Sequence, residues 1–182
     1  MELNPVRAGK QEVQVEVHRM LKRAIAVGCF LAAVVAPAFA HGAPRGQAKA
    51  TVTGKAITID YGRPSLQGRD MLAKAQPGDA WRLGADAPTT LATGADLSFG
   101  AVSVPKGTYI LTATKDDQGG WTLNIRNDAD RTKIVAAVPL TASPLKDNVE
   151  EFTIELRAVA RDKGELELRW GTTALGVAFT GK

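Results

Sequence analysis

Cysteine is nearly missing from this chain. The single one, Cys29, sits in an apolar run near the start, and none occurs past residue 40. No disulfide can therefore staple the body of the protein. Histidine is almost as scarce, with His18 and His41 alone. Past residue 40 His41 is the only imidazole, which excludes Ser-His-Asp and Cys-His nucleophile arrangements. Zinc sites built from three histidines, or from two histidines and a glutamate, are excluded as well. Acids and bases do not segregate: from His41 onward 18 Lys/Arg face 16 Asp/Glu along the chain. The clustered basic face that nucleic acid requires is therefore missing. No internal repeat and no low-complexity tract is visible.

What is present at the start reads as a targeting segment. His18-Arg19-Met20-Leu21-Lys22-Arg23 is a basic flank, residues 24–35 are an uncharged apolar run, and Ala38-Phe39-Ala40 has the small-x-small pattern of a cleavage site. The apolar run is shorter than the roughly 20 residues that span a bilayer. Residues 1–40 are thus expected to be a cleavable signal peptide, with Met20 as an alternative start. Lipid attachment at Cys29 is disfavoured, because it leaves five apolar residues upstream where an h-region has about 7–15. The expected destination is the periplasm or the exterior, with no membrane insertion after cleavage. The remaining 142 residues are enough for one domain that buries about 68–70% of its unfolded surface. Residues 41–46 read as a flexible lead-in and 47–182 as a single domain.

That domain alternates with period two. Ile57, Ile59 and Tyr61 share a face against Thr58 and Asp60, and Tyr109, Leu111 and Ala113 stand against Ile110 and Thr112. Trp121, Leu123 and Ile125 repeat the pattern, as do Phe152, Ile154 and Leu156, and Leu166, Leu168 and Trp170. Turn signals fall at Gly54-Lys55, Pro105-Lys106-Gly107, residues 116–120 and residues 161–164. Residues 133–138 read as a strand ending at Pro139, and 141–147 as a loop. Nine or ten short strands separated by such turns predict an all-β antiparallel sandwich of the jelly-roll kind.

One stretch breaks the alternation. Residues 61–90 carry Arg63, Arg69, Arg82 and Trp81 among the glycines Gly62, Gly68, Gly78 and Gly84. Met71, Leu72 and Ala75 have roughly helical spacing, so a helix of one or two turns is the only one expected, within 65–76. Arginine is a planar fork suited to carboxylate or phosphate and stacks on aromatic faces. Arg63, Arg69, Trp81 and Arg82, with Asp86 and Thr89, are therefore candidates for a cleft that binds a small anionic or polyol ligand. The competing expectation is that the arginines satisfy loop carbonyls while Trp81 plugs an end of the core.

The succession Tyr61-x-Arg63-Pro64-Ser65-x-x-Gly68-Arg69, Trp81-Arg82-x-Gly84-Ala85-Asp86-x-x-Thr89 and Pro105-x-Gly107-Thr108-Tyr109 resembles the exported bacterial family DUF2911. Trp121-x-x-x-Ile125-x-Asn127, Glu150-Glu151-Phe152-Thr153-Ile154 and Leu166-x-Leu168-x-Trp170 continue the likeness over nearly all of the mature chain. The resemblance implies an exported, mostly β protein and brings no established activity with it. Two departures stand out. Where the family shows Gly-Ala-Asn-Glu-Ala-Thr this chain has Gly84-Ala85-Asp86-Ala87-Pro88-Thr89, and the connection after Asn127 is cut down to residues 128–132.

Other chemistries have thinner support. His41 as a mature N-terminus would offer an α-amine and an imidazole to copper, but no second histidine completes such a site. Asp60, Asp70, Asp79 and Asp86 supply acids for carboxylate-based hydrolysis without any pair being marked as facing. Asp116-Asp117 and Asp128-Ala129-Asp130 do not match a calcium-binding loop. The sequence thus points to an exported ligand-binding β domain without cofactor, metal or catalytic residues. An envelope interaction module is the alternative, and a carboxylate hydrolase comes third.

Overall fold

A computed structural model describes residues 42–182 with Ala73 left out; the signal peptide expected over residues 1–40, the alternative start at Met20 and His41 lie outside the described residues. Ten strands pair antiparallel throughout into one continuous sheet. They are β1 (Arg45–Val52), β2 (Lys55–Gly62), β3 (Ala80–Trp81), β4 (Thr89–Thr93) and β5 (Leu97–Phe99), then β6 (Val102–Val104), β7 (Gly107–Lys115), β8 (Trp121–Asn127), β9 (Ile134–Ala158) and β10 (Lys163–Gly181). The spatial order is β1-β2-β4-β7-β8-β9-β10-β5-β6, with β3 lying against β7 beyond the end of β4. The first hairpin turns at Thr53-Gly54, both at positive φ (54° and 74°), one residue earlier than the glycine-lysine pair suggested. A two-residue hairpin with positive φ at both positions matches the twist of its strands.

β9 is the hinge of the architecture. Ile134 to Leu140 pair with β8, and from Thr141 onward the same strand pairs with β10. It therefore passes from one half of the sheet to the other without a break, through the region expected to be a loop. Pro139 faces Thr122 and Pro144 faces Thr173. Each proline lies where β9 has a ladder partner on one side only, the edge setting in which a sheet tolerates a missing N–H.

The two halves share one core. Ile57, Leu91 and Ile125 from one half line the same interior space as Phe99, Leu166 and Phe179 from the other. Such a folded-over sheet is compatible with a sandwich, made from a single sheet rather than two. The chain leaving β2 joins the halves a second time. Leu66 N donates to Glu150 O and Phe152 N to Pro64 O, both at 2.9 Å, and Ser65 forms a bridge with Glu151.

No helix occurs among the described residues. The described residues from 66 to 76 form short turns and links instead, and of the three apolar residues Leu72 alone is buried there. Gly68 at φ 73° and Gly78 at φ 85° bracket the segment and hold it to short turns.

Candidate functional site

The irregular stretch divides in two. Its second half, residues 78–89, is built into the fold. Gly78 N donates to Lys115 O at 2.9 Å, and β3 then sets Trp81 opposite Ala113. The indole stacks on Trp170 at 5.8 Å between ring centroids and 10° between planes. It meets Phe152 at 5.2 Å and Trp121 at 5.8 Å edge-on, and Phe152 in turn meets Tyr61. Each such pair contributes about 0.5–1.5 kcal/mol beyond the area it buries.

Leu83 is fully buried and sits at φ 54°, a left-handed conformation that costs a leucine roughly 1–2 kcal/mol. Its surroundings hold it there. The buried Thr89 hydroxyl donates to the Leu83 carbonyl at 2.6 Å, and at Gly62 any side chain would collide with the Ala85 backbone. Asp86, exposed, accepts a hydrogen bond from Ala43 N at 2.7 Å and so fixes the start of the described chain. Arg82 projects into solvent, with no side-chain partner among the described residues.

The first half is a strap over the end of β9. Arg63 reaches Glu151 at 3.0 Å, and its guanidinium donates to Phe152 O and Thr153 Oγ1, each at 3.5 Å. This arginine ties loop to strand. Arg69 is different. Its Nε donates to Leu66 O at 3.3 Å, which sets the direction of the side chain, while neither terminal nitrogen has a partner among the described residues.

Arg69 lines an open cleft of about 220 Å³ together with Asp70, Asn148, Glu150 and Thr172. Glu150 is well anchored there: Gln67 N donates to its carboxylate at 2.9 Å, and Trp170 Nε1 donates to its backbone carbonyl at 3.3 Å. Of the six residues singled out in the sequence, Arg69 alone lines this cleft. Arg63, Trp81 and Thr89 bond or pack within the fold, Asp86 holds the chain start, and Arg82 stands apart.

Sequence reasoning missed Asn148, Glu150 and Thr172. They lie in β9 and β10 outside the stretches whose alternation reads clearly, and the hydrogen bonds and bridge that tie residues 64–67 to Glu150, Glu151 and Phe152 bring Arg69 to them. It also missed a charged patch on the β9–β10 ribbon, where Arg157 lies 3.1 Å from Glu165 and Arg169 lies 2.8 Å from Glu155. The hydrogen bond from Arg157 to Glu165, with the charge of Glu167 behind it, holds that guanidinium above its ordinary pKa. A signal for the patch existed in the alternation of both signs at Glu155-x-Arg157 and Glu165-x-Glu167-x-Arg169.

Compared with known proteins, the chain matches over residues 43–179 the model of a family described as "Protein of unknown function (DUF2911)". No curated protein and no solved structure matches it.

Proposed function

We propose that this chain, which belongs to the DUF2911 family across residues 43–179, binds a small neutral polyol or sugar in the cleft beside Arg69. The observation that carries the proposal is the mixed lining. One guanidinium with free terminal N–H groups is set among two carboxylates, an amide and a hydroxyl, at Asp70, Glu150, Asn148 and Thr172. Sugar hydroxyls donate and accept at once, so a wall offering both suits them. A free anion is served worse, because the two acids outnumber the one arginine. Of the two ligand classes expected from the sequence, anion and polyol, this lining favours the second. A few placed polar groups in a concave site fix orientation and specificity.

The experiment is an amide chemical-shift titration of the protein with sorbitol, inositol and glucose. Saturable shifts at Gly68, Asn148 and Thr172, lost in Arg69→Ala at unchanged melting temperature, are expected. No saturable shift at these amides with any of the three, or shifts that survive Arg69→Ala, would overturn the proposal.

A further inference from the structure

A second cleft lies on the β9–β10 ribbon and shares no residue with the first. The ribbon bends at Gly171, which stands at φ 62°, and doubles back. Gly176 comes to lie against the Leu166 carbonyl, and a side chain at Gly164 would strike the ring of Phe179. Where the two arms meet, a groove of about 280 Å³ opens. Gly176 and Ala178 leave it room, Thr141 and Ser143 line it from one arm, and Arg157, Glu165 and Glu167 line it from the other.

The charges on the second arm do not cancel. Glu155, Glu165 and Glu167 face two guanidiniums, Arg157 and Arg169, which leaves one negative charge in excess. Their use is also uneven. Glu165 and Glu155 hydrogen-bond an arginine each, at 3.1 Å and 2.8 Å. Glu167 sits 3.8 Å from Arg157 and 3.9 Å from Arg169, outside hydrogen-bond reach of both. It also stands directly across the ladder from Glu155, where like charges repel. Arg169 Nε, close to Glu167, is buried with no acceptor. Glu167 is therefore the carboxylate of the three that accepts no hydrogen bond from either arginine, in a cluster that carries one excess negative charge.

We propose that this groove binds a small organic cation carrying hydroxyl groups, an amino polyol, with the ammonium on Glu167 and the hydroxyls on Thr141 and Ser143. An ammonium supplies the missing positive charge and up to three N–H donors. A neutral polyol satisfies the hydroxyl side alone, and a polyol acid adds a fourth carboxylate to three. The groove thus differs from the Arg69 cleft in the charge it prefers.

Three probes of one carbon skeleton separate these cases: glucamine (cation), sorbitol (neutral) and gluconate (anion). Each is titrated into the protein while the amides of Ser143, Glu167 and Gly176 are followed. Glucamine is expected to bind about tenfold tighter than sorbitol, the scale of one hydrogen bond to a charged group, with gluconate weakest. In Glu167→Gln the glucamine preference disappears, whereas Arg69→Ala leaves it intact and so keeps this outcome separate from that of the first cleft. No saturable shift at these amides, equal affinity for the three probes, or a preference that survives Glu167→Gln would overturn the proposal.

Discussion

The two halves of the irregular stretch have similar compositions and opposite roles. Residues 63–70 hold Arg63 and Arg69, and residues 81–89 hold Arg82 and Trp81, each set among glycines. Yet the second half drives Leu83 and Thr89 into the interior and packs the half-buried Trp81 against the core, while the first runs over the outside of β9 and leaves Arg69 at an open cleft. The difference comes from where the neighbouring strands end. Beyond the end of β4, β7 still has ladder room for β3, so the chain there must turn inward. Beyond β2 the chain meets Pro44 and then the margin of β9 at Glu150 and Phe152, and it stays at the surface. Density of arginine and glycine did not mark a site. What separates Arg69 from its two neighbours is that one end of its guanidinium is fixed and the other is free.

Substitutions can break or sharpen that contrast. The largest effect is expected at Trp81, where alanine removes three ring contacts at once and opens a cavity. A loss of about 3–5 kcal/mol follows, measured as a lower denaturant midpoint. Thr89→Val keeps the shape but strips the Leu83 carbonyl of its donor in a fully buried setting. About 1–3 kcal/mol should be lost, with the denaturant slope unchanged. Arg82→Ala should stay within roughly 0.5 kcal/mol of the wild type in the same assay, as an exposed substitution with no partner to lose. A destabilisation at Arg82 comparable to that at Trp81 would erase the distinction within the second half.

Much of the β framework was legible because burial on one face writes itself as alternation. Ile57 with Ile59 and Tyr61, or Leu166 with Leu168 and Trp170, are buried as the pattern requires. Pro139 and Pro144 misled, because a proline normally ends a strand. In β9 they are accommodated by a hand-over from β8 to β10, which is a property of topology rather than of local sequence. The spacing of Met71, Leu72 and Ala75 suggested a helix, but Leu72 alone finds the core and the bracketing glycines favour turns. The cleft was half legible. Arg69 stood out by residue type, whereas Asn148, Glu150 and Thr172 reach it through long-range pairing of residues 64–67 with Glu150, Glu151 and Phe152, more than 80 positions away in sequence. Arg63, Arg69 and Arg82 are equivalent on paper; the hydrogen bonds that distinguish them depend on which strand margin each one meets.

The division of the stretch into a packed plug and a surface strap is tested most directly by thermal unfolding of Trp81→Ala and Arg69→Ala side by side. At about 3 °C per kcal/mol for a domain of this size, Trp81→Ala should melt roughly 10 °C or more below the wild type and Arg69→Ala within about 2 °C of it. Equal losses, or a large loss at Arg69 with little at Trp81, would contradict the account.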